Sequence, residues 1–207
     1  HYMQNYQSQI RLMIKMQFQI GIARRICETI GTLNMPSVSE KLGQMAAQAA
    51  MVEGLVYGME SGGGYYNGYY VPDRNLMYTA QVLTQQLYPE FITSMREIAG
   101  GGLIMLPSSV KDFENPEIAR YIHATQNSAV GTSEEKVKFM KLAWDAIGSE
   151  FASRHTQYEM FYAGAQFVTR GHALRTYDWN RSKILVDDIL NSYNLEDMFE
   201  KKNVAAE

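Results

Sequence analysis

TSEEKVKFMKLAWDAIGSEFASRHTQYEMFY, Thr132 to Tyr162, sets the fold class. Val137, Met140, Ala143, Trp144, Ile147, Phe151, His155, Tyr158 and Phe161 follow one another by threes and fours, which keeps one face of a helix apolar. Thr132 or Ser133 supplies an N-cap. Glu134 and Glu135 put acids in the first turn, where the helix dipole favours them. The stretch is expected to be the longest helix of the chain, ending near Tyr162, with Gly164 and Gly171 punctuating the exit.

Upstream, residues 2–30 read as one helix, with Ile10, Met13, Ile14, Phe18 and Ile20 to Ile22 near the helical period. Gly31 stops it, and Asn34 with Pro36 turns the chain. A second helix begins after Ser37 or Ser39 and runs to about Glu60, its small residues Ala46, Ala47, Ala49, Ala50 and Gly54 allowing close helix contact. SGGGYYNGYY, Ser61 to Tyr70, reads as a loop, because each interior glycine costs a helix about 1 kcal/mol. A third helix spans about Asp73 to Ala99, with a kink or break expected at Tyr88 before Pro89. Gly100, Gly101 and Gly102 end it, and Pro107, Ser108 and Ser109 turn the chain after a short apolar stretch. Asn115 and Pro116 look like N-cap and first residue of a short helix to about Gln126. A last helix covers about Arg181 to Tyr193, and the charged tail after Leu195 is expected to fray. No segment alternates like a strand. The expectation is all-α: one domain over residues 1–207, an antiparallel four-helix bundle.

Composition narrows function without naming it. The chain has 207 residues, 46% apolar and 20% charged, which suits a packed core. A net charge of −3 gives no electrostatic reason to expect nucleic acid or an anionic membrane. The longest apolar runs are too short for a membrane span. One cysteine excludes an internal disulfide framework, and with four histidines it leaves no cluster for a structural zinc. The default is a soluble protein of a reducing, cytoplasmic compartment. Thirteen methionines, fourteen tyrosines and five prolines favour long helices packed through flexible and aromatic side chains.

Three constellations carry candidate chemistry. The triple glycine lets backbone approach phosphate oxygens, or simply caps a helix. On the long helix, Phe151, His155, Tyr158 and Phe161 or Tyr162 share a face, with Arg154 beside Tyr158. That set suits a flat anionic cofactor, or forms an amphipathic core stripe. On the first helix Arg11 and Lys15 are one turn apart, near Gln7 and Gln9, as a phosphate clamp or a solvated face. Cys27 reads as a buried structural thiol. No nucleophile, base and orienting group are visible together.

REIAGGGLIMLPSSVKDFENPEI (Arg96 to Ile118) and KLAWDAIGSEFASRHTQYEMFYAGA (Lys141 to Ala165) resemble the flavin-dependent phenol hydroxylases of the 4-hydroxyphenylacetate 3-monooxygenase family. The resemblance extends to NYQSQIRLMIKMQFQIGIA (Asn5 to Ala23) and LGQMAAQAAMVEGL (Leu42 to Leu55), in the family's order. RTYDWNRS, Arg175 to Ser182, leans towards the chlorophenol-hydroxylating branch. The resemblance implies the oxygenase component of a two-component monooxygenase. A separate NAD(P)H-dependent reductase supplies reduced FAD, and a flavin hydroperoxide ortho-hydroxylates a phenol with molecular oxygen. It also implies the fold of the acyl-CoA dehydrogenases and a homotetramer built largely through the C-terminal bundle. Only that C-terminal domain is matched, so the chain is expected to be a fragment, without the N-terminal helical and middle β domains. The fragment alone is expected to be inactive, because the family's acid/base and substrate residues lie on the missing domains.

The resemblance places Gly100, Gly101 and Gly102, with Pro107, Ser108 and Ser109, against the FAD of a neighbouring subunit. It places Gln7 and Arg11 facing the flavin, and Arg154, His155, Tyr158 and Tyr162 on the part closing over the cofactor. No metal is implied. A catalytically silent assembly module of the same ancestry is the alternative. A 4-hydroxybutyryl-CoA dehydratase-like enzyme is a third reading; it needs several cysteines for an iron–sulfur cluster, and this domain has Cys27 alone.

Overall fold

Eight helices and one small hairpin follow in chain order in the computed structural model, which describes residues 2–194. They are α1 (Tyr2–Ile30), α2 (Pro36–Ser61), β1 (Gly64–Tyr66), β2 (Tyr69–Val71), α3 (Arg74–Ala99), α4 (Pro116–Thr125), α5 (Ser133–Ile147), α6 (Glu150–Phe161), α7 (Gln166–Thr176) and α8 (Trp179–Asn191). The expected charged tail lies outside the described residues. α1, α2, α3 and the α5–α6 pair form the antiparallel four-helix bundle. α3 is central, packing on α1, α2, α6 and α7.

The bundle closes on Leu12, Met16 and Ile26 of α1, Met45 and Val52 of α2, Tyr88, Phe91 and Met95 of α3, and Met140 and Ile147 of α5. Six methionines, Met16, Met45, Met59, Met77, Met95 and Met140, are fully buried, as the composition suggests. The inward face of α1 is the expected one in part, since Ile22 is buried and Ile10, Met13 and Ile20 pack partly buried against the core. Leu12, Met16, Ala23, Ile26 and Cys27 are buried, whereas Ile14 and Phe18 are exposed. α2 likewise buries Ala49 but turns Ala46, Ala47, Ala50 and Gly54 to solvent.

Four expectations about local structure are corrected. The Thr132–Tyr162 helix is two helices. Gly148 ends α5, and the Ser149 side chain caps α6 by accepting from the Ala152 amide at 3.2 Å. α3 continues as one helix through Pro89, so the chain does not break at Tyr88. SGGGYYNGYY contains an antiparallel hairpin pairing Tyr65 with Tyr70, and both turn residues, Asn67 (φ 49°) and Gly68 (φ 83°), are left-handed. Asn-Gly between alternating residues is a type I′ hairpin signal. Gly171 lies inside a helix, α7, held by Gln85. Gln85 Nε2 donates to the carbonyls of Met160 and Gly164 at 2.8 Å, and Thr169 donates to its Oε1 at 2.8 Å.

The remaining elements begin within a few residues of expectation. Pro36 opens α2 instead of turning the chain before it, and Asp73 caps α3 by accepting from the Leu76 amide. Thr132 and Glu135 form a reciprocal capping box on α5, and Asn115 caps α4 with Pro116 first.

Candidate functional site

α6 packs on α3 and is joined to the middle of α1 through side chains. Its inward turn presents Glu159, which is buried with a side chain 5% exposed. A lone carboxylate there requires compensation, because burial of an unpaired charge is costly. α1 provides it twice. Arg11 donates Nη1 to Oε1 at 2.6 Å and Nη2 to Oε2 at 3.2 Å, and Lys15 donates to Oε1 at 2.5 Å. Lys15 also meets Nδ1 of His155 at 2.8 Å, one turn back along α6.

Aromatic rings enclose the charges. The Arg11 guanidinium lies 4.4 Å from the Tyr158 ring centre, and Lys15 Nζ lies 5.3 Å from that of Tyr88. Phe151 and His155 pack at 4.2 Å, and Tyr158 stacks on Tyr162 at 4.3 Å. Phe151, Arg154, His155, Tyr158 and Glu150 line an open cleft of about 600 Å³.

The environment sets the protonation of these groups. Burial opposes the Arg11 charge, but the hydrogen bonds and charge of Glu159 outweigh it, and its pKa is raised. Burial lowers the Lys15 pKa, with Glu159 acting in the other direction. Burial, with the Lys15 charge behind it, lowers that of His155. The Tyr88 phenol accepts from Gln19 at 2.9 Å, and burial pushes its pKa up to about 12. Burial also raises that of Tyr158.

The expected site residues fall into two groups. Arg11, His155, Tyr158 and Tyr162 come together at the α1–α6 junction. Gln7 is exposed one turn before Arg11. Arg154 points to solvent, 79% exposed, 3.8 Å from Glu150. The expected clamp of Arg11 and Lys15 is real, but it holds Glu159. Glu159 is the residue the sequence reading missed; its signal is one acid among aromatics, four positions after His155.

Gly100, Gly101 and Gly102 sit at the far end of α3, twelve residues and about 18 Å beyond Tyr88 at the helical rise. Gly100 (φ 56°) ends α3, and a 3-10 turn over Gly100–Leu103 follows beside α5. A Cβ on Gly101 would meet nothing within 4 Å, so this backbone faces open space. Pro107 is half-buried beyond it. Ser109 caps a 3-10 turn over Val110–Phe113, accepting from the Lys111 amide while its own amide donates to Asp112. Ser108 Oγ donates to Asp112 at 3.3 Å. Both serines therefore carry local capping bonds beside a carboxylate.

Residues 1–191 match the family described as 4-hydroxyphenylacetate 3-hydroxylase C terminal. The oxygenase component of 4-hydroxyphenylacetate 3-monooxygenase from Pseudomonas aeruginosa is 34% identical over 167 residues, covering 80% of this chain and 32% of that one. Its counterpart from Escherichia coli is 32% identical over 194 residues, covering 91% and 37%. The chain therefore spans about a third of the length of these relatives. A crystal structure of such an oxygenase component, complexed with FAD and 4-hydroxyphenylacetate, superposes with a TM-score of 0.85 at 26% identity, covering 90% of this chain and 39% of that one. The family match covers residues 1–191 and the structural match 90% of the chain, and the chain belongs to the 4-hydroxyphenylacetate 3-hydroxylase C-terminal family.

Proposed function

We propose that this chain is the C-terminal bundle of a longer reduced-flavin monooxygenase that ortho-hydroxylates a phenol. The observation that carries the reading is the family match across residues 1–191. Relatives about three times as long support placing further domains outside these residues. The substrate class follows from relatives named for 4-hydroxyphenylacetate and from a Rhodococcus 4-nitrophenol 2-monooxygenase oxygenase component. The same names support a reductase that delivers reduced flavin.

The residues present fit a flavin in part. Gly100 and Gly101 offer backbone beside open space, a surface that admits a pyrophosphate, whereas a Cβ on Gly102 would touch Met140. At the α1–α6 junction, stacked aromatics flank two cations, and among the described residues Arg11 Nε is buried with no hydrogen-bond partner. Ser108 and Ser109 fit less well, since Asp112 engages both. When bound, FAD supplies the activation of oxygen; the chain's part is to bind, orient and exclude water. One candidate region lies at the middle of α3 and the other at its C-terminal end, and we assign them to flavins of different subunits in a homotetramer. Exposed apolar side chains on α8 support self-assembly.

The test is rapid mixing of the full-length oxygenase chain with reduced FAD, oxygen and 4-hydroxyphenylacetate. Slowed flavin oxidation and release of a catechol are expected. Unprotected oxidation with no hydroxylated product would overturn the reading in favour of a silent assembly module.

A further inference from the structure

Lys15 Nζ reaches two acceptors at once, Glu159 Oε1 at 2.5 Å and His155 Nδ1 at 2.8 Å. Paired to a buried carboxylate, Lys15 is an ammonium. An ammonium has three protons and no lone pair, so it can only donate to Nδ1. Nδ1 must then carry a lone pair, and the single proton of the neutral ring sits on Nε2. A protonated imidazole would set two cations against each other at 2.8 Å.

The other groups facing the ring act in the same direction or are already committed. Arg11, from α1, adds positive charge and is tied in a fork to Glu159. Tyr88, from α3, sits beneath Lys15 and accepts from Gln19. On α6, Glu159 is shared by the two cations, Tyr158 lies under Arg11, and Glu150 is exposed beside Arg154. Burial of the ring further disfavours its charged form. Among the described residues Nε2 makes no hydrogen bond, and the ring lines the aromatic cleft with Phe151 and Tyr158.

We propose that Lys15 and Glu159 lock His155 as its neutral, Nε2-protonated tautomer, and that this N–H is the hydrogen-bond donor offered to an acceptor oxygen or nitrogen of an aromatic ligand in the α6 cleft. The tautomer follows from the contacts alone. The ligand rests on the flavin reading above, whose ring system carries such acceptors. A fixed neutral donor differs from an ordinary histidine, which exchanges tautomers and gains charge near neutral pH. It binds an acceptor with unchanged strength across that range.

The experiment has two arms, both on the full chain. Histidine-selective 15N labelling should show Nδ1 as the pyridine-type nitrogen of His155, with the signal unchanged as pH falls through about 6.5, the ordinary imidazole midpoint. Lys15→Met should restore ordinary titration and tautomer exchange. An Nδ1-protonated ring, an ordinary midpoint in the unaltered protein, or no response to Lys15→Met would overturn the lock. In the second arm FAD affinity is compared for His155→Ala and His155→Gln, the latter keeping an N–H donor. Alanine should weaken binding about tenfold, the size of one hydrogen bond, and glutamine should stay within about threefold of the unaltered protein. Equal losses would overturn the donor role while the first arm still decides the lock. No FAD binding by the unaltered protein would sink the flavin reading, and the cleft assignment with it.

Discussion

Arg96 on α3 donates its Nε–H to the Ile147 carbonyl at 2.9 Å, at the place where the helix expected over Thr132–Tyr162 divides. Ile147 ends α5, and such terminal carbonyls have no partner within their own helix. Arg96 supplies one from the neighbouring helix and fixes the step from α5 to α6. Arg96→Met keeps the stem and removes the donor. It should cost about 1–2 kcal/mol in urea denaturation, the scale of a charge-assisted bond near the surface. An unchanged unfolding midpoint would show that Ile147 is satisfied without it.

Glu159 holds two cations, so its removal should cost more than the removal of either partner. Glu159→Gln leaves Arg11 and Lys15 facing each other and should destabilise by about 2–3 kcal/mol. That is below the cost at a fully enclosed pair, because the Arg11 side chain is 28% exposed. Arg11→Met, which leaves Lys15 on the carboxylate, should cost about 1–2 kcal/mol. Denaturant curves of the two variants check the order. A larger loss for Arg11→Met would contradict the shared-carboxylate arrangement.

Much of the fold is legible in the sequence because periodicity and caps are local. Thr132 with Glu135, Asn115 with Pro116, and Gly31 each mark an end that the structure keeps. Three features turn on a conflict between a local signal and a longer pattern. Gly148-Ser149 is a stop followed by a cap, yet the apolar stripe continues across it. Asn67-Gly68 is a hairpin turn, yet its strands are three residues each and fully exposed apart from Val71. Pro89 stays inside α3 because packing of Tyr88, Phe91 and Ile92 outweighs one missing donor. The junction at Glu159 is different. It joins residues 148 positions apart, and no spacing rule on either helix pairs Arg11 with Glu159.

The histidine and lysine of that junction should give stability a slope in pH. The folded-state pKa of His155 is lowered, so below about 6.5 the unfolded chain takes up a proton that the fold resists. The unfolded state then binds more protons, and stability is lost as pH falls through that window. The lowered Lys15 pKa gives the same sign in the alkaline range. Urea midpoints should therefore fall more steeply between about pH 7 and pH 5 for the unaltered protein than for His155→Gln. Parallel curves would remove His155 as a source.

α8 carries Ile184, Leu185, Val186, Ile189 and Leu190, each more than 45% exposed, and has no buried residue. An apolar helix left uncovered suits contact with another copy of the chain. Leu185→Asp combined with Ile189→Asp should shift the full chain to a smaller assembly in sedimentation velocity, with circular dichroism unchanged. Retention of the same assembly would place the interface elsewhere, for example on the small-residue face of α2.

The glycine turn separates a cofactor role from a conformational one. Gly100 has φ 56° and ψ −151°, a combination open to glycine almost alone, so Gly100→Ala should cost about 1–3 kcal/mol by backbone strain. Gly101 lacks a positive φ, and its Cβ would meet nothing within 4 Å. Gly101→Val should therefore leave the melting temperature nearly unchanged. If the open space beside Gly101 receives a flavin pyrophosphate in the assembled enzyme, the valine obstructs it, and reduced-FAD affinity should fall at least about tenfold. Thermal melts and reduced-FAD binding on the same two variants decide the matter. A Gly101→Val protein that melts normally and binds reduced FAD normally would remove the turn from the cofactor site, whatever happens at Gly100.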